Sequence, residues 1–201
     1  MKLYITIPSP FARKCRIVAR EKGLADRVEE VVVDLYGAAP ELAALNPVDQ
    51  VPTLIAEDGL PLNNSPVICE YLDRLGSGAV LLPEAGPERW AVKRVETLGN
   101  AALEMGVKWV LEKRRPEDER SQAWMDRWSN RMGRCLNALE TADLSADRLD
   151  MGVITAGCAV TWISFRHPEF DWKTGRPRLV ALQAALEARP SFADTRPDAV
   201  G

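Results

Sequence analysis

The first third of the chain switches between two hydrophobic periods. Residues 2–7 are rich in Leu, Tyr and Ile and alternate like a strand, which Pro8-Ser9-Pro10 breaks. Residues 11–22 take helical spacing. Ile17, Val18 and Ala19 are apolar, Arg13, Lys14, Arg20 and Lys22 are polar, and Gly23 suits the helix end. Residues 30–35 form a Val-rich second strand. Strand, helix and strand over this length make a βαβ unit, so the two strands should be parallel with a right-handed crossover. A short helix over 40–45 then precedes Asn46-Pro47.

The stretch 46–72 is the most informative. Thr53-Leu54-Ile55-Ala56 is a short apolar strand, and Pro52 stands just before it. Proline lacks an N–H for a sheet, so it belongs at a strand's first residue or on an edge. A cis bond here would turn the Val51 backbone outward toward a ligand; a trans proline would merely end a loop. Glu57-Asp58-Gly59 is a turn signal, so 53–56 and 60–62 read as a hairpin. Ser65 is expected as the N-cap of the next helix, with Pro66 at its first position. Val67, Ile68, Tyr71, Leu72 and Leu75 form its apolar face, and Gly76 can end it. Two readings stay open: Ser65 is only a cap, or the helix start is an anion site, with free N–H groups at the positive end of the dipole.

After a linker over 81–87 the strand signal disappears. Ala91, Val95, Leu98, Ala102, Met105 and Trp109 mark one helix face, and Pro116 stops that helix. Trp124, Trp128, Met132, Cys135 and Leu139 mark a second; its tryptophans read as core or interface residues. Asp150 can cap a third helix through Ile154, Cys158 and Trp162, apolar or small all round and so expected to be central. Pro177 opens a last helix over 178–188. The expected organisation is an α/β domain over 1–78 and an all-helical domain over 87–201.

Composition narrows the function. The formal net charge is −3 over 201 residues, without a basic block, which argues against nucleic acid as a partner. The first strand is too short for a secretory apolar core, and no uncharged run reaches a membrane span. A soluble, cytoplasmic protein is expected. Cys15, Cys69, Cys135 and Cys158 form no CxxC, so neither zinc nor a local redox pair is indicated. Cys69 and Cys158 read as core, and Cys15 as structural, with redox sensing as its alternative. His167 is the only histidine; it excludes a multi-histidine metal site and is expected on a surface loop.

Three segments carry a resemblance. They are Ser9-Pro10-Phe11-Ala12-Arg13-Lys14, then Asn46-Pro47-x-x-Gln50-Val51-Pro52-Thr53-Leu54, then Asn64-Ser65-Pro66-Val67-Ile68-x-Glu70-Tyr71-Leu72. In order and spacing they resemble the cytosolic glutathione S-transferase family, and the tail, Ile163-Ser164-Phe165-Arg166 … Phe170-Asp171-Trp172 … Arg176-Pro177 … Arg189-Pro190-Ser191-Phe192, resembles a bacterial glutathione S-transferase-like branch. The resemblance implies a thioredoxin-like N-terminal α/β domain, an all-α C-terminal domain, and glutathione as co-substrate. It implies that Pro52 is cis, that the Val51 backbone pairs with the cysteinyl part of glutathione, and that Asn64-Ser65 hold the γ-glutamyl end, with Gln50 close by. It also implies a homodimer, with Glu104 as the acid a partner subunit would lend.

Such chemistry needs a thiolate at neutral pH, which the protein must stabilise. Ser9, just before a helix, is the expected donor to that sulfur, and Thr6 is in reserve. A shift of one pKa unit takes about 1.4 kcal/mol, within reach of one charge-assisted bond. Phe11, Met105 and Trp109 are the expected wall for a small hydrophobic electrophile. The stretch Ser9-Pro10-Phe11-Ala12 lacks both cysteines of a glutaredoxin motif, so dithiol exchange there is not expected. The family usually has an acid where Asn64 stands, and a neutral amide loses charge attraction for the γ-glutamyl ammonium. Two alternatives therefore stay open: a non-catalytic ligand- or partner-binding protein, and a glutathione-dependent disulfide reductase.

Overall fold

Strand β1 (Lys2–Ile5) lies inside a four-stranded sheet ordered β2-β1-β3-β4, with β2 (Glu29–Val32), β3 (Thr53–Ile55) and β4 (Pro61–Asn63). The computed structural model describes residues 1–35, 37 and 40–197. β1 and β2 are parallel, joined by α1 (Pro10–Glu21), as the βαβ pattern requires. β3 pairs antiparallel with β1 and with β4. Leu3, Ile5 and Leu54 are fully buried, because β1 and β3 are interior strands. β2 is an edge strand. It stops at Val32, short of the expected end, because β1 stops at Ile5; Val33 N makes the last bond, to Ile5 O at 2.9 Å. α2 (Pro40–Leu45) precedes β3, and α3 (Ser65–Leu75) follows β4.

Helix α1 corrects one expectation. Arg13 and Lys14 are fully buried and Lys22 nearly so, although they read as a polar face. Charge is tolerated inside where each group meets partners. Lys22 Nζ lies 3.0 Å from Asp73 Oδ1 and donates to Ala79 O at 2.8 Å. Arg13 Nη2 donates to Phe192 O at 3.0 Å. That contact belongs to a C-terminal tail that the sequence places with the helical half. The tail instead joins the α/β unit, which comprises Met1–Leu82 and the chain from Arg189 onward. Its short helix α8 (Pro190–Ala193) buries Phe192 against α1. Arg189 donates twice to the Glu21 carboxylate, at 3.2 and 2.9 Å. Burial raises the Glu21 pKa, but the bonds from Arg189 and Ser191 outweigh it and hold the carboxyl below its ordinary value.

Gly76 ends α3, but not through a left-handed turn, since its φ is −84°. The reason is room. A Cβ there would lie 2.5 Å from Lys22 Cβ and 2.6 Å from Lys22 O.

The helical unit spans Pro83–Ala188 and contains α4 (Gly86–Lys113), α5 (Gln122–Glu140), α6 (Met151–Arg166) and α7 (Pro177–Glu187). α6 is buried along most of its length. Its N-cap is Asp150, whose Oδ1 accepts from Val153 N at 2.9 Å. α4 approaches α6 closely because Gly99 and Gly106 stand at the crossing. A Cβ at these positions would meet Thr155 at 2.8 Å and Trp162 at 2.7 Å. Trp124 does not enter the core; it is half-exposed and stacks on Trp128 with ring centroids 5.7 Å apart. Among the described residues no helix is long and apolar enough to cross a membrane, and no cluster of three or more His, Cys, Asp or Glu could hold a metal ion.

His167 is a second correction. It caps the C-terminus of α6 and is fully buried, not a surface residue. Its Nε2 lies 3.0 Å from Gly106 O, so that nitrogen carries the hydrogen. Nδ1 then accepts from Lys113 Nζ at 3.4 Å, and the ring stacks on Trp109 with centroids 4.4 Å apart. The short loop after α6 folds back onto α4, which is why a loop histidine ends inside. Burial, first of all, pushes its pKa below the ordinary 6.5. The folded chain therefore refuses a proton that the unfolded chain accepts. Stability is full above that ordinary value and is lost as pH falls toward and through the folded pKa. Thermal unfolding followed by tryptophan fluorescence should show the midpoint dropping from neutrality toward pH about 5. His167→Phe should flatten that window.

Candidate functional site

The sheet register gathers three separate segments at one end. Thr53, the first residue of β3, pairs with Tyr4 on one side and Asn63 on the other. Val51-Pro52 therefore enters the sheet beside the exit of β1, which leads through Thr6 to Ser9. On the far flank, Asn63 leads directly into Asn64-Ser65. Ser9, Gln50, Val51, Pro52, Asn64 and Ser65 thus lie on the segments that lead into or out of these paired residues. The Val51–Pro52 peptide bond is cis.

Asn46, buried, holds this arrangement. Its Nδ2 donates to Gln50 O and to Thr53 Oγ1, both at 3.0 Å. Its Oδ1 accepts from Val48 N at 3.1 Å and from Asn63 Nδ2 at 3.0 Å. Thr53 Oγ1 in turn donates to Gln50 O at 2.9 Å. One amide side chain therefore ties the loop before β3 to the end of β4. Its role was not evident from the sequence, where Asn46-Pro47 read only as part of a motif; the available signal was an asparagine beginning a loop.

Ser9 is the N-cap of α1, and its Oγ accepts from Ala12 N at 3.2 Å. A hydroxyl has two lone pairs and one hydrogen, so capping leaves the O–H free to donate. Thr6 O accepts from Ser9 N at 3.1 Å, which turns the chain sharply between β1 and α1.

Ser65 differs from its expected role. Asn64 is the N-cap of α3, and Ser65 is the helix's first residue. Its Oγ is buried and has no hydrogen-bond partner. A buried hydroxyl left unpaired costs about 1–3 kcal/mol, so this atom is suited to an incoming polar group. Asn64 is exposed at φ 69°, a conformation that asparagine tolerates better than most residues. Its strained backbone presents the first turn of α3, where anions are favoured.

The scale of the site follows from α1. Cys15 Sγ lies 3.9 Å from Ser65 O, so the second turn of α1 abuts the first turn of α3. Ser9 is six residues back, about 9 Å along the helix axis. An extended tripeptide spans about 10 Å. Phe11 is half-buried in the first turn of α1. Met105 and Trp109, half-buried, and Glu104, exposed, lie on α4 of the other unit. Trp109 is engaged within that unit, against His167 and edge-on to Phe170 at 5.9 Å.

The family model of the glutathione S-transferase N-terminal domain matches residues 8–75, the part that contains all three segments. Over 98% of its length, and 98% of the relative's, the chain is 33% identical to the GST-like protein YibF of Escherichia coli K12. The chain belongs to the glutathione S-transferase family. A family member from Pseudomonas fluorescens Pf-5, solved with bound glutathione, superposes with a TM-score of 0.93 at 29% identity, covering 98% of each chain. A glutathione S-transferase from Methylobacillus flagellatus KT, solved with glutathione bound, gives 0.90 at 34% identity and the same coverage. One from Methylobacterium radiotolerans, in complex with glutathione sulfonate, gives 0.90 at 33%, covering 100% of this chain and 96% of that one. Like these relatives, this family member has a thioredoxin-like α/β half followed by helices.

Asn46→Ala should leave Gln50 O, Thr53 and Asn63 without their shared partner. A loss of about 1–3 kcal/mol in urea unfolding is expected, with faster hydrogen exchange confined to the loop before β3 and to β4.

Proposed function

We propose that this glutathione S-transferase binds glutathione across the end of the sheet and activates its thiol with Ser9. The observation that carries the proposal is the register Tyr4–Thr53–Asn63; it supports a ligand reaching from Ser9, past Val51, to Ser65. Ser65 Oγ, buried and unpaired, would bond the γ-glutamyl carboxylate beside the α3 N-terminus. The Val51 backbone would pair with the cysteinyl peptide, with Gln50 over it and Pro52 shaping the turn. The Ser9 hydroxyl would donate to the sulfur while its oxygen keeps capping α1. The thiolate then attacks the electrophilic carbon of a small hydrophobic co-substrate. The assembly would be a homodimer in the cytoplasm.

One observation supports a second reading, a glutathione-binding protein without turnover. Asn64 offers an amide where relatives of this fold use a charge, which weakens the hold on the ammonium end. Thiolate chemistry separates the two readings.

An ultraviolet difference titration of bound glutathione should show thiolate at neutral pH. Ser9→Ala should raise the bound thiol's pKa by about one unit and slow conjugation about tenfold. Ser9→Asp keeps a capping oxygen but removes the donor at neutral pH. It should lose the thiolate signal while keeping wild-type stability, which separates donation from capping. Binding without any thiolate signal in the wild type would favour the second reading.

A further inference from the structure

Cys15 and Cys69 are 54 residues apart in sequence, yet their sulfurs lie 3.7 Å from each other. Both side chains are fully buried, and neither cysteine is in a disulfide. They connect the two helices that carry the candidate site: Cys15 lies six residues beyond Ser9 on α1, and Cys69 four residues beyond Ser65 on α3. Cys15 Sγ also touches the first turn of α3, at Ser65 O, 3.9 Å away. A disulfide needs about 2.05 Å between sulfurs. The gap to be closed is therefore about 1.6 Å, within reach of side-chain rotation and a slight approach of the helices.

We propose that Cys15 and Cys69 form a modification site, a buried dithiol that a small hydroperoxide converts to a disulfide locking α1 to α3. The oxidant class follows from burial. A mixed disulfide with glutathione would have to place a tripeptide in a closed core, whereas hydrogen peroxide is close to water in size. One thiolate attacks the O–O bond, becomes a sulfenic acid and releases hydroxide. The second thiolate attacks that sulfur, forms the S–S bond and expels a second hydroxide. The two thiol protons convert both hydroxides to water. Two thiols are thus oxidised by two electrons while one peroxide is reduced to two waters.

Closing the pair pulls α3 toward α1 one turn beyond Ser65. The oxidised form should therefore hold glutathione several-fold more weakly. This second consequence rests on the site reading above; the disulfide does not.

The test uses the folded protein carrying Cys135→Ser, which removes the half-buried thiol able to cross-link two chains. After hydrogen peroxide treatment the protein is unfolded, alkylated and mapped without reduction. A linked Cys15–Cys69 peptide, the loss of both thiols, recovery with dithiothreitol, and absence of the link in Cys15→Ala and Cys69→Ala are expected. Thiols that survive in the folded protein but react once it is unfolded would overturn the proposal. So would oxidation beyond the sulfenic acid without a cross-link. Glutathione binding by titration calorimetry completes the test. Equal affinity of the reduced and oxidised forms overturns the coupling. Failure of the reduced form to bind overturns the site reading and leaves the disulfide standing.

Discussion

Everything at the candidate site depends on the pairing of β3 with both of its neighbours. Thr53 stands between Tyr4 and Asn63. From that one residue the chain is fixed in three directions: back to Val51-Pro52, across to the turn before Ser9, and across to the turn before Ser65. A strand slip of one residue would invert every side chain of β3. It would take Leu54 out of the core and Thr53 out of the Asn46 network. The Asn46 bonds make that slip costly, because four polar atoms of the loop and β4 share one buried amide.

The helices then turn this backbone frame into chemistry. Both α1 and α3 begin at the sheet end. Each begins with a serine at or next to its cap, and the two serines are left in different states. Ser9 uses its oxygen for the helix and keeps its hydrogen. Ser65 uses neither, because Asn64 takes the capping position and Ser65 turns inward. The division suits a ligand that carries both a thiolate and a carboxylate. Behind these starts the helices are held by ion pairs: the buried Lys22 with Asp73, and, nearer the surface, Arg16 and Arg20 with Glu30 and the tail's Arg189 with Glu21. The starts of α1 and α3 are thus braced from behind.

Much of this was legible in the sequence. The βαβ unit, the Asp58-Gly59 turn and the Asp150 cap are local, and each is found where the pattern puts it; the strands are shorter than the alternation suggests, β1 ending at Ile5 and β2 at Val32. The misjudged residues share a cause. Arg13 and Lys22 read only as polar positions because the groups they meet, Phe192 O, Asp73 and Ala79 O, lie far along the chain. His167 read as a surface residue because Gly106 O and Trp109 come from α4. The role of Asn46 was hidden because its bonds join a loop to a strand that the sequence separates from it.

The sequence by itself determined which segments are strands and helices, the parallel pair β1–β2, the family, and the residues Ser9, Val51-Pro52 and Ser65 as candidates. These follow from periodicity, turn chemistry and motif spacing, all of which act over a few residues. Only the tertiary structure decided that Ser65 Oγ is left unpaired, that the tail from Arg189 rejoins the α/β unit, that a lone histidine is sealed against α4, and that Cys15 meets Cys69. Each of these depends on contacts between residues distant in sequence, and such contacts are settled by how the elements pack.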